Sequence, residues 1–202
     1  MLGYRTNLMN RITIFGAISL AILGLTACSP VGIAVGIGAS VLTAAQTDKG
    51  IRSAAADLGI HAEINHYLFQ KDIDLFGSVG LAVERGRVLL TGAVQKPENR
   101  IEATRLAWQA AGVQEVINEI QVRNTASLSD RARDIVINKR LQAALLLDND
   151  VKSINYSIDT VNGIVYLFGL ARGQSELDRV INHARNIEYV AKVVSYVSLL
   201  KP

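Results

Sequence analysis

The sequence has a single cysteine, Cys28, and three prolines among its 202 residues. One cysteine excludes an intramolecular disulfide and any metal or redox site built from a CxxC pair. Half of the residues are hydrophobic, so disorder along the whole chain is not expected. The length suits one ordinary domain or two small ones.

Charge is absent from one part of the chain. Residues 12–45 carry no charged side chain, and all 18 acidic residues lie from Asp48 onward. Without its first 27 residues the chain holds 19 basic against 18 acidic residues, a net charge near +1. Because a general nucleic-acid binder needs a clear excess of Lys and Arg to release counterions, we do not expect a nucleic-acid partner.

Residue patterns for catalysis and metal binding are also scarce. His61 and His66 are five residues apart, so they do not share a helical face as an i,i+4 ligand pair would. The carboxylates of Asp148 and Asp150 lie in a segment too short to supply the six or more oxygens of a calcium loop. The sequence has no Gly-x-Ser-x-Gly elbow. We therefore expect no enzyme activity, no cofactor and no metal site.

The amino terminus has the layout of an export signal. Arg5 and Arg11 precede 16 uncharged residues, 12–27, which is short for a spanning helix of about 20 residues but suits the core of a signal peptide. The stretch ends in LTAC at residues 25–28, which resembles the lipobox of bacterial lipoproteins. The alternative is an uncleaved anchor helix over residues 12–42.

The lipobox resemblance implies a specific fate for this segment. Residues 1–27 would be a signal peptide removed by cleavage, and Cys28 would be acylated with fatty chains such as palmitate. Several acyl chains anchor a protein far more firmly than one. Ser29 implies, by the same resemblance, transport to the outer membrane. Residues 28–47, rich in Gly, Ala, Val and Ile, would then form a lipidated apolar tether.

From Ile60 onward the chain repeats itself at an offset of 77 residues without gaps. The matched pairs include glycines and apolar residues over more than 60 positions: Gly86 and Gly163, Val88 and Val165, Leu90 and Leu167, Gly92 and Gly169, Val116 and Val193. This register indicates duplication of a whole folding unit. We predict one domain over residues 48–124 and a second over residues 128–202.

The hydrophobic periods predict the same order of elements in each copy. Apolar residues at Ile137, Leu141 and Leu145 form one helical face, and Ile158 lies in a following stretch that alternates with period two, as in a strand. A second strand, a helix and a closing strand come next. Each copy is therefore predicted to be an αββαβ unit of the α+β class, with a three-stranded mixed sheet covered by two helices.

Four glycines are expected to have structural roles. Gly86 and Gly163 each follow the first strand of their copy, and the pair Asn162-Gly163 is a strong signal for a tight hairpin turn. Gly92 and Gly169 lie inside the second strands. A glycine inside a strand usually marks a bulge or a close approach of another backbone segment.

These features resemble the BON domain. The first copy carries GRVLLTG at residues 86–92 and GVQEVINEI at residues 112–120, and the second carries NGIVYLFG at residues 162–169. The second copy departs from the pattern at Tyr189, where the first has Gly112, so the entry to its last strand is open to difference. A lipobox, a tether and two BON domains together resemble dual-BON outer-membrane lipoproteins.

The first helix of the second copy is the most promising binding surface. It carries a net charge of +2, with four basic residues: Arg131, Arg133, Lys139 and Arg140. Basic side chains near a bilayer attract anionic headgroups by about 1 kcal/mol each. The resemblance implies anionic phospholipid binding through this helix, where such lipoproteins can place an interfacial tryptophan at the position of Val136. An ordinary solvated charged face is the alternative.

Together these observations predict a lipid-anchored protein on the periplasmic face of the outer membrane. Its second BON domain would bind anionic phospholipid and thereby support outer-membrane integrity. The alternative is a protein-protein adaptor that docks on an envelope complex, such as the outer-membrane protein assembly machinery or the division site. The single tryptophan, Trp108, lies in the first copy, where we expect it to pack.

Overall fold

The computed structural model describes residues 50–123 and 128–200. Cys28, the expected signal peptide at residues 1–27 and the expected tether at residues 28–47 lie outside the described residues. Thr43–Pro202 forms a compact unit of its own, and both copies of the repeat lie in it. Each copy has its own helix-covered apolar core.

The first domain begins with a long helix that turns sharply at Asp72. The side chain of Asp72 accepts hydrogen bonds from the backbone N–H groups of Asp74 and Leu75 and so caps the next helix. The elements of the domain are, in chain order, α1 (Ile51–Lys71), α2 (Ile73–Ser78), β1 (Val79–Glu84), β2 (Arg87–Val94), α3 (Pro97–Ala107), β3 (Glu115–Asn118) and β4 (Gln121–Val122).

The second domain repeats this order, with a 3₁₀ turn over Ser153–Asn155 in the place of α2. Its elements are α4 (Leu128–Leu147), β5 (Tyr156–Val161), β6 (Ile164–Ala171), α5 (Gln174–Arg185) and β7 (Lys192–Leu199). The predicted αββαβ order of both copies is thus confirmed.

Each domain contains one mixed sheet. The first two strands pair antiparallel, and the closing strand pairs parallel with the second. In the first domain the closing strand is interrupted, and β3 and β4 pair with successive parts of β2. At the interruption the Asn118 side chain accepts a hydrogen bond from the Ile120 N–H at 2.9 Å, and Ile120 is buried. The second domain has the continuous strand β7 instead.

A carboxylate from the first helix of each domain fixes its hairpin turn. Asp134 accepts hydrogen bonds from the N–H groups of Asn162 at 2.7 Å and Gly163 at 2.8 Å. Both turn residues have positive φ, 52° and 75°, as a type I′ turn requires. The first domain repeats the arrangement with Asp57, Arg85 and Gly86. Neither aspartate stands out in the sequence, because its hydrogen-bond partners lie 28 and 29 residues further along the chain.

The strand glycines stand where another backbone segment passes close by. A Cβ added at Gly92 would overlap the carbonyl oxygen of Ser78, and one added at Gly169 would overlap that of Asn155. Ser78 ends α2 and Asn155 ends the 3₁₀ turn. The chain therefore enters the first strand of each domain in direct contact with the glycine of the second strand.

The two sheets pack against each other through the faces that carry no helices. The residues that meet there form one apolar cluster, whose buried members are Leu89, Val161, Tyr166 and Phe168. The helices of each domain cover the opposite face of its sheet. The described residues of the unit therefore form four layers, in the order helices, sheet, sheet, helices.

Polar contacts also cross between the sheets. The Arg87 guanidinium donates to the carbonyl of Tyr196 at 3.2 Å and to Ser198 Oγ at 2.7 Å. It lies 5.4 Å from the centre of the Phe168 ring, which is a cation–π distance. Arg87 thus links the first domain to β6 and β7 of the second.

Asp159 is a partly buried carboxylate at this sheet-to-sheet contact, where it accepts a hydrogen bond from the Thr91 hydroxyl. Burial raises the pKa of Asp159, and the negative charge of Asp134 raises it further, whereas the bonds from Thr91 and the Thr160 N–H oppose the shift. Folding therefore favours the protonated form. The associated stability is present below an unfolded pKa of about 3.9 and is lost as pH rises through the folded pKa.

We expect Asp159→Asn to raise the free energy of unfolding at pH 7, because it removes the buried charge. The difference from the parent should shrink to zero near pH 3. Urea unfolding across this pH range measures it. The control is Asp178→Asn on the exposed side of α5, which should give no gain. A variant less stable than the parent at pH 7 would contradict the prediction.

Candidate functional site

Helix α4 has one side in the core of the second domain and one side in solvent. Ile137, Leu141 and Leu145 follow the helical period and are buried against the sheet and α5. The residues on the opposite side of the helix therefore point away from the protein. This outward side of α4, including its basic residues, is called the α4 surface below.

The α4 surface is apolar along its length. Ile135 is 61% exposed, Leu146 is 74% exposed and Leu147 is 81% exposed, and Val136 is exposed beside them. Single exposed apolar side chains are common, but a group on one helix face indicates a binding surface. Of these four residues, only Val136 is among the site residues predicted from the sequence. Ile135, Leu146 and Leu147 are apolar but do not belong to the buried face of the helix, and this mismatch is the sequence signal that identifies them.

The predicted basic residues lie on the same surface. The side chains of Arg131, Arg133, Lys139 and Arg140 are all exposed. By helical spacing, Lys139 lies between Ile135 and Leu146 in the middle of the surface. Arg131 lies at one edge, and Arg133 and Arg140 lie at the other. The structure thus brings all five sequence-predicted lipid-binding residues, including Val136, to the solvent side of one helix.

The edge formed by Arg133 and Arg140 contacts the loop before β7. The Arg133 guanidinium donates to Asp130 at 3.2 Å and lies 5.2 Å from the centre of the Tyr189 ring. Arg140 donates to Glu188 at 3.3 Å. The Tyr189 hydroxyl and the Arg140 guanidinium lower the pKa of Glu188, so this carboxylate stays ionised at neutral pH. It offsets part of the positive charge at this edge.

Helix α1 of the first domain shares two of these exposed apolar positions but lacks the basic residues. Leu58 and Phe69, at the positions of Ile135 and Leu146, are also more than half exposed. The positions of the four basic residues are instead occupied by three alanines and one glutamate: Ala54, Ala56, Ala62 and Glu63. The combination of exposed apolar and basic side chains therefore distinguishes α4 from its duplicate α1.

The backbone at Tyr189 keeps the conformation of its counterpart. Tyr189 has φ 71° and Gly112 has φ 94°, so the entry to the last strand is alike in both domains. The difference lies in the side chain. In the first domain a groove of about 770 Å³ lies open beside Gly112, lined among others by Ala56 and Glu63.

The other candidate residues have structural contacts. His183 Nε2 lies 2.7 Å from Asp148 Oδ2, and Asp148 also accepts a hydrogen bond from the Asp150 N–H at 3.0 Å. These contacts hold the turn after α4. In residues 50–123 and 128–200, no three histidine, cysteine or carboxylate side chains converge to hold a metal ion. Over the same ranges, no helix combines the length and apolar character needed to cross a bilayer.

Trp108 does not pack inside the first domain as expected. It follows the last residue of α3 and is 52% exposed. Together with Ile101 and Val122 it lines a groove of about 580 Å³. The position of Trp108 at the helix end, beyond the buried stripe of Ala103 and Ala107, explains why the expectation was wrong.

The repeated fold matches a known family. The model of the BON domain matches residues 64–124 and again residues 133–201. The chain belongs to the BON-domain family. Both matched segments begin inside the first helix of a domain and end with or just after its last strand, so the two αββαβ units are the two BON domains.

Relatives of this BON-domain chain come from several bacteria. It is 44% identical over 144 residues to an "Uncharacterized protein in gshII 5'region" of Anaplasma centrale, covering 71% of this chain and 94% of that protein. It is 31% identical to the "Outer membrane lipoprotein DolP" of Haemophilus influenzae, covering 61% of this chain and 64% of DolP. It is 27% identical to the "Osmotically-inducible protein Y" of Escherichia coli, covering 68% and 69%.

Proposed function

We propose that this chain is a non-enzymatic lipoprotein of the bacterial envelope whose second BON domain binds anionic phospholipid bilayers. An acylated Cys28 would hold it on the periplasmic face of the outer membrane. The similarity to an outer membrane lipoprotein, DolP, supports this location. Through its lipid contact the protein would support the integrity of the outer membrane.

The observation that carries the proposal is the composition of the α4 surface. Ile135 and Leu146 expose apolar side chains on the same side of the helix as Lys139 and Arg131, and Leu147 is exposed toward the edge of Arg140. A helix of this kind lies in the plane of the bilayer interface, with its apolar residues at the acyl boundary. Lys and Arg side chains reach from such a position to the phosphate groups, and anionic headgroups attract each of them.

A lipid anchor makes a modest affinity of α4 sufficient. Acyl chains on Cys28 would keep the domain close to the bilayer, so that binding through α4 becomes an intramolecular step at high effective concentration. The α4 surface then determines which lipids the protein contacts and how the domain is oriented. The anchor itself supplies most of the residence time on the membrane.

We expect the double variant Arg131→Gln with Lys139→Gln to bind anionic vesicles about 30-fold more weakly, since each lost charge removes about 1 kcal/mol of attraction. The measurement is co-sedimentation of Thr43–Pro202, which contains both domain cores. One vesicle set is phosphatidylcholine alone, and the others add phosphatidylglycerol or cardiolipin. The parent should bind the anionic sets and the variant should approach its weak binding to the neutral set.

The matched control changes the same charge on the other domain. Arg52→Gln with Lys96→Gln removes an exposed arginine of α1 and an exposed lysine directly before α3 in the first domain. Because both residues lie outside the second domain, binding should stay within about twofold of the parent. Equal absence of binding to neutral and anionic vesicles by the parent would overturn the proposal.

A protein-protein adaptor is the second candidate, and the groove beside Trp108 favours it. Ile101 and Val122 are exposed around this groove together with Trp108, and apolar grooves of this kind accept partner side chains. In this case crosslinking in native membranes would give a dominant protein adduct from residues of this groove, at a yield that does not depend on the anionic lipid content. The same vesicle assay would then show no preference for charge.

A further inference from the structure

Tyr189 occupies a backbone position that suits glycine. Its φ of 71° lies in the left-handed region, which is unfavourable for a bulky side chain. The first domain has Gly112 at the equivalent position, with the same backbone conformation. The residue is 60% exposed, so it contributes little to the buried core, and its side-chain partners Arg133 and Glu188 also lie at the surface. A strained residue outside the core points to a function.

The location of Tyr189 connects it with α4. Its ring lies 5.2 Å from the Arg133 guanidinium, and Arg133 stands at the edge of the α4 surface. Glu188, the preceding residue, is paired with Arg140, which lies about two helical turns beyond Arg133. The ring thus widens the α4 surface beyond the helix itself, on the side where Val136 is exposed.

We infer that Tyr189 is an interfacial anchor for the bilayer, which sets the depth and tilt at which the α4 surface rests on anionic phospholipid. This inference rests on the function proposed above. Tyrosine has an apolar ring and a polar hydroxyl and is enriched at the level of lipid headgroups. Stacking of Arg133 on the ring places a cation beside it, where the lipid phosphates would lie.

The first domain has none of these parts at the equivalent positions. Ala56, Ala111 and Gly112 replace Arg133, Glu188 and Tyr189. The cluster of Arg133, Glu188 and Tyr189 therefore belongs to the second domain, together with the basic residues of α4. The second domain thus differs from the first in two neighbouring places, the basic residues of α4 and the loop residues Glu188 and Tyr189.

The first test is Tyr189→Gly in Thr43–Pro202, which installs the residue of the first domain. We expect binding to phosphatidylglycerol vesicles to weaken about three- to tenfold, as for loss of one partly buried aromatic ring. The thermal unfolding midpoint should stay equal or rise, because glycine relieves the left-handed strain. A purely structural role predicts the reverse: unchanged binding and a lower midpoint.

The second test locates position 189 directly in the bilayer. Trp108→Phe removes the single tryptophan of the chain, and Tyr189→Trp then introduces a new one that keeps the interfacial character. We expect its fluorescence to shift to the blue when phosphatidylglycerol vesicles are added. Lipids brominated near the glycerol end of the acyl chains should quench it more than lipids brominated near the chain ends. The Trp108→Phe variant alone serves as the blank.

The outcomes separate this inference from the proposed function. If the parent binds anionic vesicles but Tyr189→Gly binds equally well and the introduced tryptophan stays unshifted and unquenched, the anchor role is wrong and the lipid-binding function stands. If the parent binds neither anionic nor neutral vesicles, both are wrong. Weaker binding with a preserved unfolding midpoint and quenched fluorescence supports both.

Discussion

Replacing Phe168 with alanine is expected to lower the free energy of unfolding by about 3–5 kcal/mol, the usual cost of removing a buried phenylalanine side chain. Phe168 is fully buried between the two sheets. The Arg87 guanidinium of the first domain lies over its ring. The substitution leaves a cavity at the contact and removes this cation–π partner. Denaturant unfolding of Thr43–Pro202 measures the loss.

The same chemical change at an exposed site provides the control. Phe69→Ala removes a phenylalanine from the solvent side of α1, where it contacts Phe76 edge to face, and should cost less than about 1 kcal/mol. A loss of this small size for Phe168→Ala would show that the sheets do not pack on each other in solution. A second, separate unfolding transition in Phe168→Ala would show that the contact normally couples the two domains.

The double variant Ile135→Asp with Leu146→Asp is expected to lose about 100-fold or more in affinity for phosphatidylglycerol vesicles. Both side chains are more than half exposed on the α4 surface, so each contributes its apolar area when the helix lies on a bilayer. The new carboxylates would also repel the anionic headgroups. Vesicle co-sedimentation measures the loss, and circular dichroism checks that the helix content is retained.

The internal repeat supplies a matched control for this variant. Leu58→Asp with Phe69→Asp makes the corresponding change at the equivalent positions of α1, which are also exposed. Because α1 lacks the basic residues of α4, vesicle binding should stay within about twofold of the parent. If the α1 pair weakened binding as much as the α4 pair, the membrane contact would not be specific to the second domain.

The fold was predictable from sequence as far as each helix-covered sheet, but not beyond. The 77-residue offset and the periods of three, four and two define the elements, because burial on one face leaves a regular pattern. Strand β6 breaks this pattern, since Ile164–Ala171 is apolar at almost every position. A continuous apolar strand indicates burial on both faces. The composition of β6 thus indicates that its second face is covered, but it does not identify the surface that covers it.

For the candidate site, the basic residues were predictable from the sequence, but the exposure of its apolar side chains was not. The basic residues of α4 are apparent from composition, whereas the exposure of Ile135 and Leu146 depends on which helical face packs inside. Ile137, Leu141 and Leu145 decide this by packing against the sheet. The contact of Tyr189 with Arg133 joins residues 56 positions apart, so it follows from the tertiary fold alone.

Because the sheets pack against each other, the helices of the two domains form opposite outer faces of the compact unit. A flat bilayer can touch one outer helix layer at a time, so a molecule resting on α4 holds α1 and α3 on its far side. The groove beside Trp108 then opens toward the aqueous space. Two sheets stacked at about 10 Å separate the lipid contact from this groove. Lipid and a second macromolecule could thus be bound at once, without competition for the same surface.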